Sequence, residues 1–215
     1  MTKLVTIVDY GIGNIFSVTR AFQRCGADVL LTDKPEDILA ASSLVLPGVG
    51  AFSNGMNGLR ERGLVDPLRA YAASGKPLLG ICLGMQMLFS SSSEFGEQSG
   101  LNIIEGKILP IEPAGPDGLP LKVPHIGWSE LKPTAAGPQW DTSILKYLND
   151  DAHCYFVHSF TAFPDDERHR LADTYYGSSQ ISAVVAKGNV YGCQFHPEKS
   201  GAFGLRIIEN FLACA

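Results

Sequence analysis

The sequence predicts an α/β fold, with an open, mostly parallel sheet, flanking helices, and a smaller antiparallel sheet in the second half. Three observations lead to this prediction. Short β-branched runs alternate with helical spacing up to residue 91, strand-like segments crowd together from 95 to 195, and the C-terminus has one apolar face. No repeat or low-complexity tract interrupts the chain, so we expect a single domain over 1–215.

The first half has the pattern of βαβ units. Its strand-like runs are LVTIV (4–8), DVLLT (28–32), SLVLP (43–47) and PLLGI (77–81), and the clearest helical segments are 14–26 and 64–75. Right-handed crossovers bring the carboxyl ends of parallel strands to one edge, where α/β sheets bind ligands. The loops expected at that edge are 9–14, 47–52 and 81–84.

In the second half the predicted strands are closely spaced, as antiparallel pairing requires. They lie within 102–112, 121–131, 154–163 and 181–195. The last segment, 202–215, places Phe203, Ile207, Ile208 and Phe211 on one face, so it should form a helix that closes the core.

Charge and composition argue against several classes of partner. The 215 residues carry a net charge of −5 with no Lys/Arg cluster, so neither nucleic acid nor an anionic membrane is expected. No apolar run approaches the roughly 20 residues of a membrane helix, and the N-terminus reads as a strand, not a signal peptide. The cysteine count is odd, with no C-x-x-C pair, which suits the cytosol; the five are Cys25, Cys82, Cys154, Cys193 and Cys214.

A cysteine stands between two glycines where a predicted strand meets a helix, at Gly80-Ile81-Cys82-Leu83-Gly84. This is the context of a G-x-S-x-G nucleophile elbow, in which strand and helix nearly touch and leave no room for bulk on either side of the nucleophile. A helix N-terminus also stabilises a thiolate. Cys82 is therefore a candidate nucleophile, although a buried packing cysteine would give the same five letters.

A second motif supplies the base and the orienting carboxylate that a cysteine nucleophile requires. His196 and Glu198 follow a predicted strand, and residues two apart in extended chain point to the same side. A carboxylate beside an imidazole fixes its tautomer and stabilises the imidazolium, so Cys82, His196 and Glu198 are predicted to act as nucleophile, base and orienting group. A surface histidine with an unrelated glutamate is the alternative.

An acyl-transfer site also needs donors for the oxyanion. One is the backbone N–H of Leu83, immediately after the nucleophile. The second is expected from Pro47-Gly48-Val49-Gly50, with Val49 and Gly50 as candidates. The same loop lacks the third glycine of a dinucleotide motif, no G-x-x-x-x-G-K-[ST] occurs, and no two histidines have zinc-ligand spacing; we expect no cofactor and no metal.

Together, GICLGMQ (80–86), PGVG (47–50) and QFHPEKS (194–200) resemble the class I, triad-type glutamine amidotransferases. More narrowly, DYGIGNI (9–15), PHIGW (124–128) and YFVHSF (155–160) resemble the glutaminase subunits of imidazole glycerol phosphate synthase. The resemblance implies hydrolysis of L-glutamine through a cysteine thioester, and transfer of the ammonia to a separate (β/α)8-barrel cyclase in a heterodimer. The cyclase would make imidazole glycerol phosphate and aminoimidazole carboxamide ribotide in histidine biosynthesis.

The resemblance also implies roles outside the triad. Gln86 and Glu94 would hold the amino-acid end of glutamine, and backbone groups of Ser159 and Phe160 would take its carboxylate. The residues that match cyclase-interface positions are Asn14, Trp128, Tyr155 and Lys199. Glu94 could instead be a solvated charge and Trp128 a core residue, whereas His125 and His158 are expected to be structural, and the four other cysteines to pack.

Three other functions remain open at this point. The chain could serve another synthase, such as the pyridoxal phosphate, aminodeoxychorismate or anthranilate systems, although PHIGW and HPEKS argue against these. It could be a regulatory module with an inactive triad, which thioester trapping by a glutamine analogue would test. It could also be a stand-alone cysteine hydrolase or peptidase, which would turn over without a partner.

Overall fold

A computed structural model describes residues 3–148 and 151–214. The ends of the predicted 1–215 domain, and residues 149–150, lie outside the described residues, and that domain boundary stays a prediction. The helices are α1 (Ile15–Arg24), α2 (Pro35–Ala40), α3 (Phe52–Glu61), α4 (Val65–Ala73), α5 (Leu83–Met87) and α6 (Gly201–Ala213).

Strands occupy both halves of the chain. Those of the first half are β1 (Lys3–Val8), β2 (Ala27–Thr32), β3 (Leu44–Gly48), β4 (Leu78–Cys82), β5 (Phe89–Ser92) and β6 (Gln98–Ser99). Those of the second half are β7 (Ile104–Pro110), β8 (His125–Glu130), β9 (Lys132–Pro133), β10 (His153–His158), β11 (Phe160–Pro164), β12 (Arg170–Tyr176), β13 (Ser179–Lys187) and β14 (Val190–Cys193).

The main sheet has eight strands in the order β2-β1-β3-β4-β14-β13-β12-β9. The pairings from β2 through β14 are parallel, and the pairings from β14 to β9 are antiparallel. The predicted α/β class is confirmed, with one difference. Four second-half strands extend the main sheet, and the remaining strands form a two-stranded sheet, β10-β8, and a four-stranded sheet, β11-β7-β5-β6.

Apolar residues pack on both faces of the main sheet. One core contains Val18 and Phe22 of α1 together with Ile207 and Phe211 of α6, and the rings of Phe22 and Phe211 meet edge to face at 6.3 Å. The other core joins α2, α3, α4 and α5 to the opposite face. The two layers fix the sheet between them, so the carboxyl ends of β3 and β4 are held rigidly side by side.

The C-terminal helix forms as its apolar spacing predicts. Ile207, Ile208 and Phe211 are buried in α6, and Phe203 is half-buried. Among the described residues, no helix combines the length and the apolar character needed to cross a membrane.

Candidate functional site

The cysteine lies at the junction of β4 and α5, in a strained backbone conformation. Cys82 has φ 53° and ψ −111°, in a region that residues other than glycine rarely occupy. A Cβ on Gly84 would collide with the carbonyl oxygen of Leu46, and one on Gly80 would lie 2.7 Å from the backbone nitrogen of Met85. The two glycines therefore let strand, turn and helix come close enough to hold the thiol at the carboxyl edge of the sheet.

The histidine reaches this edge from the neighbouring strand. Because β14 pairs with β4, with Cys193 opposite Ile81, the chain that follows β14 brings His196 next to Cys82. His196 Nδ1 lies 2.8 Å from Glu198 Oε1, and the Glu198 side chain is only 1% exposed. Burial lowers the pKa of His196, but hydrogen bonds and charges of Cys82 and Glu198 outweigh it and raise that pKa to about 9.

A cavity of about 290 Å³ opens over the thiol. It brings together nearly all the residues that the sequence singles out for substrate and oxyanion binding. Its lining includes Val49, Gly50, Cys82, Leu83, Gln86, Glu94, Ser159, Phe160 and His196. Pro124, Val157 and His158 complete the wall. These residues come from six separate stretches of the chain, and Glu198 stands behind His196.

Glu94 is anchored within the protein and is not a freely solvated charge. Its Oε2 accepts a hydrogen bond of 2.6 Å from the backbone nitrogen of Phe52, the first residue of α3. Negative charge is favourable at a helix N-terminus. The carboxylate thus joins the cavity wall to the helix that follows the 47–50 loop.

Gln86 is held by two acceptors. Its Nε2 donates to the carbonyl oxygen of Phe160 at 3.3 Å and to Oε1 of Gln194 at 3.0 Å. The carbonyl of Ser159 accepts from the backbone nitrogen of Ile111 at 3.0 Å. The carbonyls of Ser159 and Phe160 are therefore used inside the fold, and their N–H groups are the ones suited to a carboxylate.

The 47–50 loop is anchored at Pro47 and is more exposed beyond Gly48. The Tyr10 hydroxyl donates to the carbonyl of Pro47 at 2.7 Å, and a Cβ on Gly48 would lie 2.5 Å from that hydroxyl oxygen. Beyond this point Val49 is 38% exposed, and Gly50 has φ 95° with open space around its Cα. Gly48 is thus required by close packing and Gly50 by its backbone conformation.

Three of the four residues predicted at an interface form one surface cluster. Trp128 of β8 is 56% exposed, which excludes the core alternative, and its ring lies 6.1 Å from that of Tyr155 on β10. Lys199 Nζ lies 5.9 Å from the Tyr155 ring centroid. Asn14 caps α1, accepting a hydrogen bond from the Ser17 nitrogen at 3.3 Å, and α1 packs against the turn that carries Lys199.

His125 and His158 form a buried hydrogen-bonded pair. His125 Nδ1 lies 3.0 Å from His158 Nε2, and His158 Nδ1 lies 2.9 Å from the carbonyl oxygen of Phe160. The His125 ring is stacked on Phe156 and on Tyr176. Both histidines are thus packed and hydrogen-bonded, as the structural interpretation predicts, and His158 also lines the cavity.

Gln194 is the residue of this site that the sequence reasoning missed. It is fully buried, and its Nε2 lies 3.9 Å from Cys82 Sγ. The signal in the sequence was its position directly after the last predicted strand and two residues before His196, but the bend at residues 194–195 that turns it toward Cys82 leaves no local pattern.

The strained cysteine, the buried histidine–glutamate pair and the cavity lie where the predicted triad requires them, and comparison with known families shows which class of protein this is. The family model described as glutamine amidotransferase class-I matches residues 6–214. The chain therefore belongs to the class I glutamine amidotransferase family, and the predicted enzyme class is confirmed.

The nearer relatives carry a more specific name. Imidazole glycerol phosphate synthase subunit HisH 1 of Legionella pneumophila (strain Paris) is 53% identical over 208 residues, which are 97% of this chain and 98% of the relative. The subunit HisH of Lactococcus lactis subsp. lactis is 44% identical over 211 residues, 98% of each. The narrower resemblance to subunits of this synthase is confirmed.

Solved structures show the same fold at low identity. A crystal structure of a glutamine amidotransferase aligns with a TM-score of 0.71 at 21% identity, over 97% of each chain. The structure of PurLQS from Thermotoga maritima aligns with a TM-score of 0.69 at 19% identity, over 99% of each chain.

Proposed function

We propose that this chain is a glutaminase subunit that hydrolyses glutamine through a thioester on Cys82 and passes the ammonia to a separate cyclase subunit. One observation carries the proposal. The strained Cys82 and the buried His196–Glu198 pair meet at a cavity whose walls also include Gln86 and Glu94. The names of the relatives, all subunits of imidazole glycerol phosphate synthase, support the choice of synthase.

In the first half of the reaction His196 takes the proton of the Cys82 thiol, and the sulfur attacks the side-chain amide carbon of glutamine. The carbonyl π electrons move to oxygen, where the N–H of Leu83 and the peptide of residues 49–50 stabilise the negative charge. When this intermediate collapses, the carbon–nitrogen bond breaks. His196 returns its proton to the departing nitrogen, so ammonia leaves and a thioester remains on Cys82.

In the second half water replaces ammonia. His196 takes a proton from the water, whose oxygen attacks the thioester carbon, and the carbon–sulfur bond breaks to release glutamate. The proton on His196 restores the thiol. Glu198 holds Nδ1 throughout, so that Nε2 faces the reacting atoms.

Recognition of the substrate rests on charge. Glu94 supplies an anion for the α-ammonium group of glutamine, and the backbone N–H groups of Ser159 and Phe160 supply donors for its α-carboxylate. Gln86 supplies a further polar contact at the same end. With its amino-acid end held in this way, the substrate can turn its side-chain amide to Cys82, which lines the same cavity.

A separate acceptor subunit follows from the chemistry of ammonia. In neutral water ammonia is mostly protonated and loses its nucleophilic lone pair, so it must travel by a closed path. We assign the exposed cluster of Trp128, Tyr155 and Lys199, with Asn14, to the contact with a (β/α)8-barrel cyclase, because exposed aromatic side chains mark protein interfaces. The five cysteines, all free in the structure, fit a cytosolic enzyme.

The test uses the complex with its cyclase. Cys82→Ala should abolish glutamine-dependent synthesis and leave ammonia-dependent synthesis at high pH near the wild-type rate, because added ammonia bypasses the thioester. The matched control is Cys214→Ala, which removes an exposed cysteine outside the cavity and should leave both activities intact.

Two results would contradict the proposal. Loss of both activities in Cys82→Ala would show that Cys82 holds the fold or the interface. Persistence of glutamine-dependent synthesis in that variant would show that another group is the nucleophile.

A further inference from the structure

The amide of Gln194 contacts the sulfur that the proposed mechanism uses as nucleophile. Gln194 follows β14 directly and is fully buried, and its backbone nitrogen is tied to the carbonyl of Ala183 at 2.9 Å. Its Nε2 lies 3.9 Å from Cys82 Sγ, within hydrogen-bonding reach for a sulfur acceptor. The side chain is therefore held against the thiol from the side of β14.

The neighbouring hydrogen bonds decide which end of the Gln194 amide faces the sulfur. The carbonyl oxygen of Phe160 can only accept, so the Gln86 atom 3.3 Å from it is the NH₂ group. The same NH₂ group lies 3.0 Å from Gln194, which must present its oxygen there. The NH₂ group of Gln194 is left to face Cys82.

An N–H donor aimed at a buried sulfur favours the thiolate over the thiol. A hydrogen bond to a charged acceptor is about twice as strong as one between neutral groups, and the low dielectric of a buried site strengthens it further. The thiolate formed when His196 removes the proton therefore has a fixed donor waiting for it. Through Gln86, the same amide is tied to the wall that receives the substrate.

We propose that Gln194 is a further catalytic residue, whose side-chain amide stabilises and orients the Cys82 thiolate and links it to Gln86. This inference rests on the proposed function, in which Cys82 is the nucleophile. It assigns a role to the position two before His196, in the bend that follows β14, so that Gln194 and His196 serve the same sulfur.

The test measures the pH dependence of Cys82 alkylation by iodoacetamide in the purified full chain, followed by mass analysis of the peptide that carries Cys82. In Gln194→Met the donor is lost at similar volume, so the midpoint of the profile should move up by about one pH unit. The plateau rate at high pH should stay near the wild-type value, because at that pH Cys82 is fully ionised in the variant as well.

Gln194→Glu is the sharper second variant. The variant keeps an oxygen to accept from Gln86 but places a carboxylate oxygen at the sulfur. Because two negative charges repel, the midpoint of the alkylation profile should move up further than in Gln194→Met. Gln180→Met is the matched control, because Gln180 bonds to Asp173 away from the cavity, and its profile should match the wild type. Urea unfolding of each variant shows whether a changed profile reflects a changed fold.

The outcomes separate this inference from the proposed function. If Cys82→Ala loses glutaminase activity but the profiles of both Gln194 variants coincide with the wild type, Gln194 has no role at the thiolate and only this inference fails. If Cys82→Ala keeps glutamine-dependent synthesis, the proposed function itself fails. An upward shift in both Gln194 variants, without one in Gln180→Met, supports the inference.

Discussion

At the scale of single residues, the His196–Glu198 pair combines a local geometry with a buried charge. The predicted extended chain is wrong here, because Pro197 opens a 3-10 helix over Pro197–Lys199, where a proline needs no N–H partner; His196 precedes this turn, and its ring meets Glu198 at 2.8 Å. Burial lowers the pKa of His196, but hydrogen bonds and charges of Cys82 and Glu198 raise it overall to about 9, so the ring keeps the proton that it takes from Cys82. The pair is thus suited to hold that proton until the leaving nitrogen needs it.

Replacing the carboxylate of Glu198 should lower the glutaminase rate less than replacing the ring of His196. In Glu198→Gln an amide oxygen can still accept from Nδ1, but it carries no charge for the imidazolium, so kcat should fall by about two to four orders of magnitude. His196→Asn removes the base itself and should lower kcat further. Steady-state glutaminase assays of both variants in the complex check the order, and two equally small effects would show that the pair takes no part in catalysis.

At the scale of elements, the small β8–β10 sheet carries the His125–His158 pair into the wall of the site. Ser129 Oγ lies 2.9 Å from His125 Nε2, and the Phe160 carbonyl must accept from His158 Nδ1. All three hydrogen bonds are therefore donated in the same direction: Ser129 donates to His125, His125 donates to His158, and His158 donates to the carbonyl of Phe160. Both rings are neutral in this arrangement. Burial accordingly lowers the pKa of each histidine to about 4.

This pair should make the fold sensitive to acid. Because both folded pKa values lie below the unfolded value of 6.5, the neutral pair stabilises the protein above pH 6.5, and that contribution is lost as the pH falls toward 4. Urea unfolding at pH 7 and pH 5 should show the wild type losing at least about 2 kcal/mol more than a His125→Gln/His158→Gln variant. An equal loss in the two proteins would mean that the histidines titrate normally.

At the scale of the whole molecule, the 47–50 loop joins the catalytic edge to the rest of the fold. Tyr10 anchors Pro47, and Glu94 anchors Phe52 on the far side, while Val49 and Gly50 lie free between these two fixed points. A glycine with positive φ turns its peptide at low steric cost. The oxyanion donor between residues 49 and 50 is therefore the adjustable part of the site.

We expect the isolated chain to bind glutamine but hydrolyse it slowly. If the peptide of residues 49–50 turns its N–H away from Cys82 in the free chain, the missing donor should cost about 2.7 to 4 kcal/mol, or roughly 100- to 1,000-fold in rate. The cyclase with its ribotide substrate should restore that factor, with Asn14 and Lys199 carrying the signal. Glutaminase rates of the chain alone, with cyclase, and with cyclase plus ribotide test this, and full activity of the chain alone would favour a stand-alone hydrolase.

The sequence by itself determined the features that depend on near neighbours. The elbow could be predicted because Gly80 and Gly84 relieve contacts within one turn of Cys82. The His196–Glu198 contact could be predicted because the two residues are close in sequence, although a 3-10 turn and not an extended chain brings them together. In the first half, strand-like runs alternate with segments of helical spacing, and this local pattern predicted the parallel strands. Helices α2 and α3 and strand β12 were not predicted. α2 has only six residues, the ten residues of α3 include two glycines that disfavour a helix, and β12 is buried on both sides over its first five residues and so shows no alternation.

Only the tertiary structure decided which distant residues meet. The bonds from Glu94 to Phe52, from Gln86 to Gln194 and from Gln194 to Cys82 join positions 42, 108 and 112 residues apart. The parallel pairing of β14 with β4 likewise brings His196 to the thiol and joins the antiparallel strands β13, β12 and β9 to the rest of the main sheet. Such contacts follow from strand order and register, which are set by the packing of the complete chain on both faces of the sheet and leave no local pattern in the sequence.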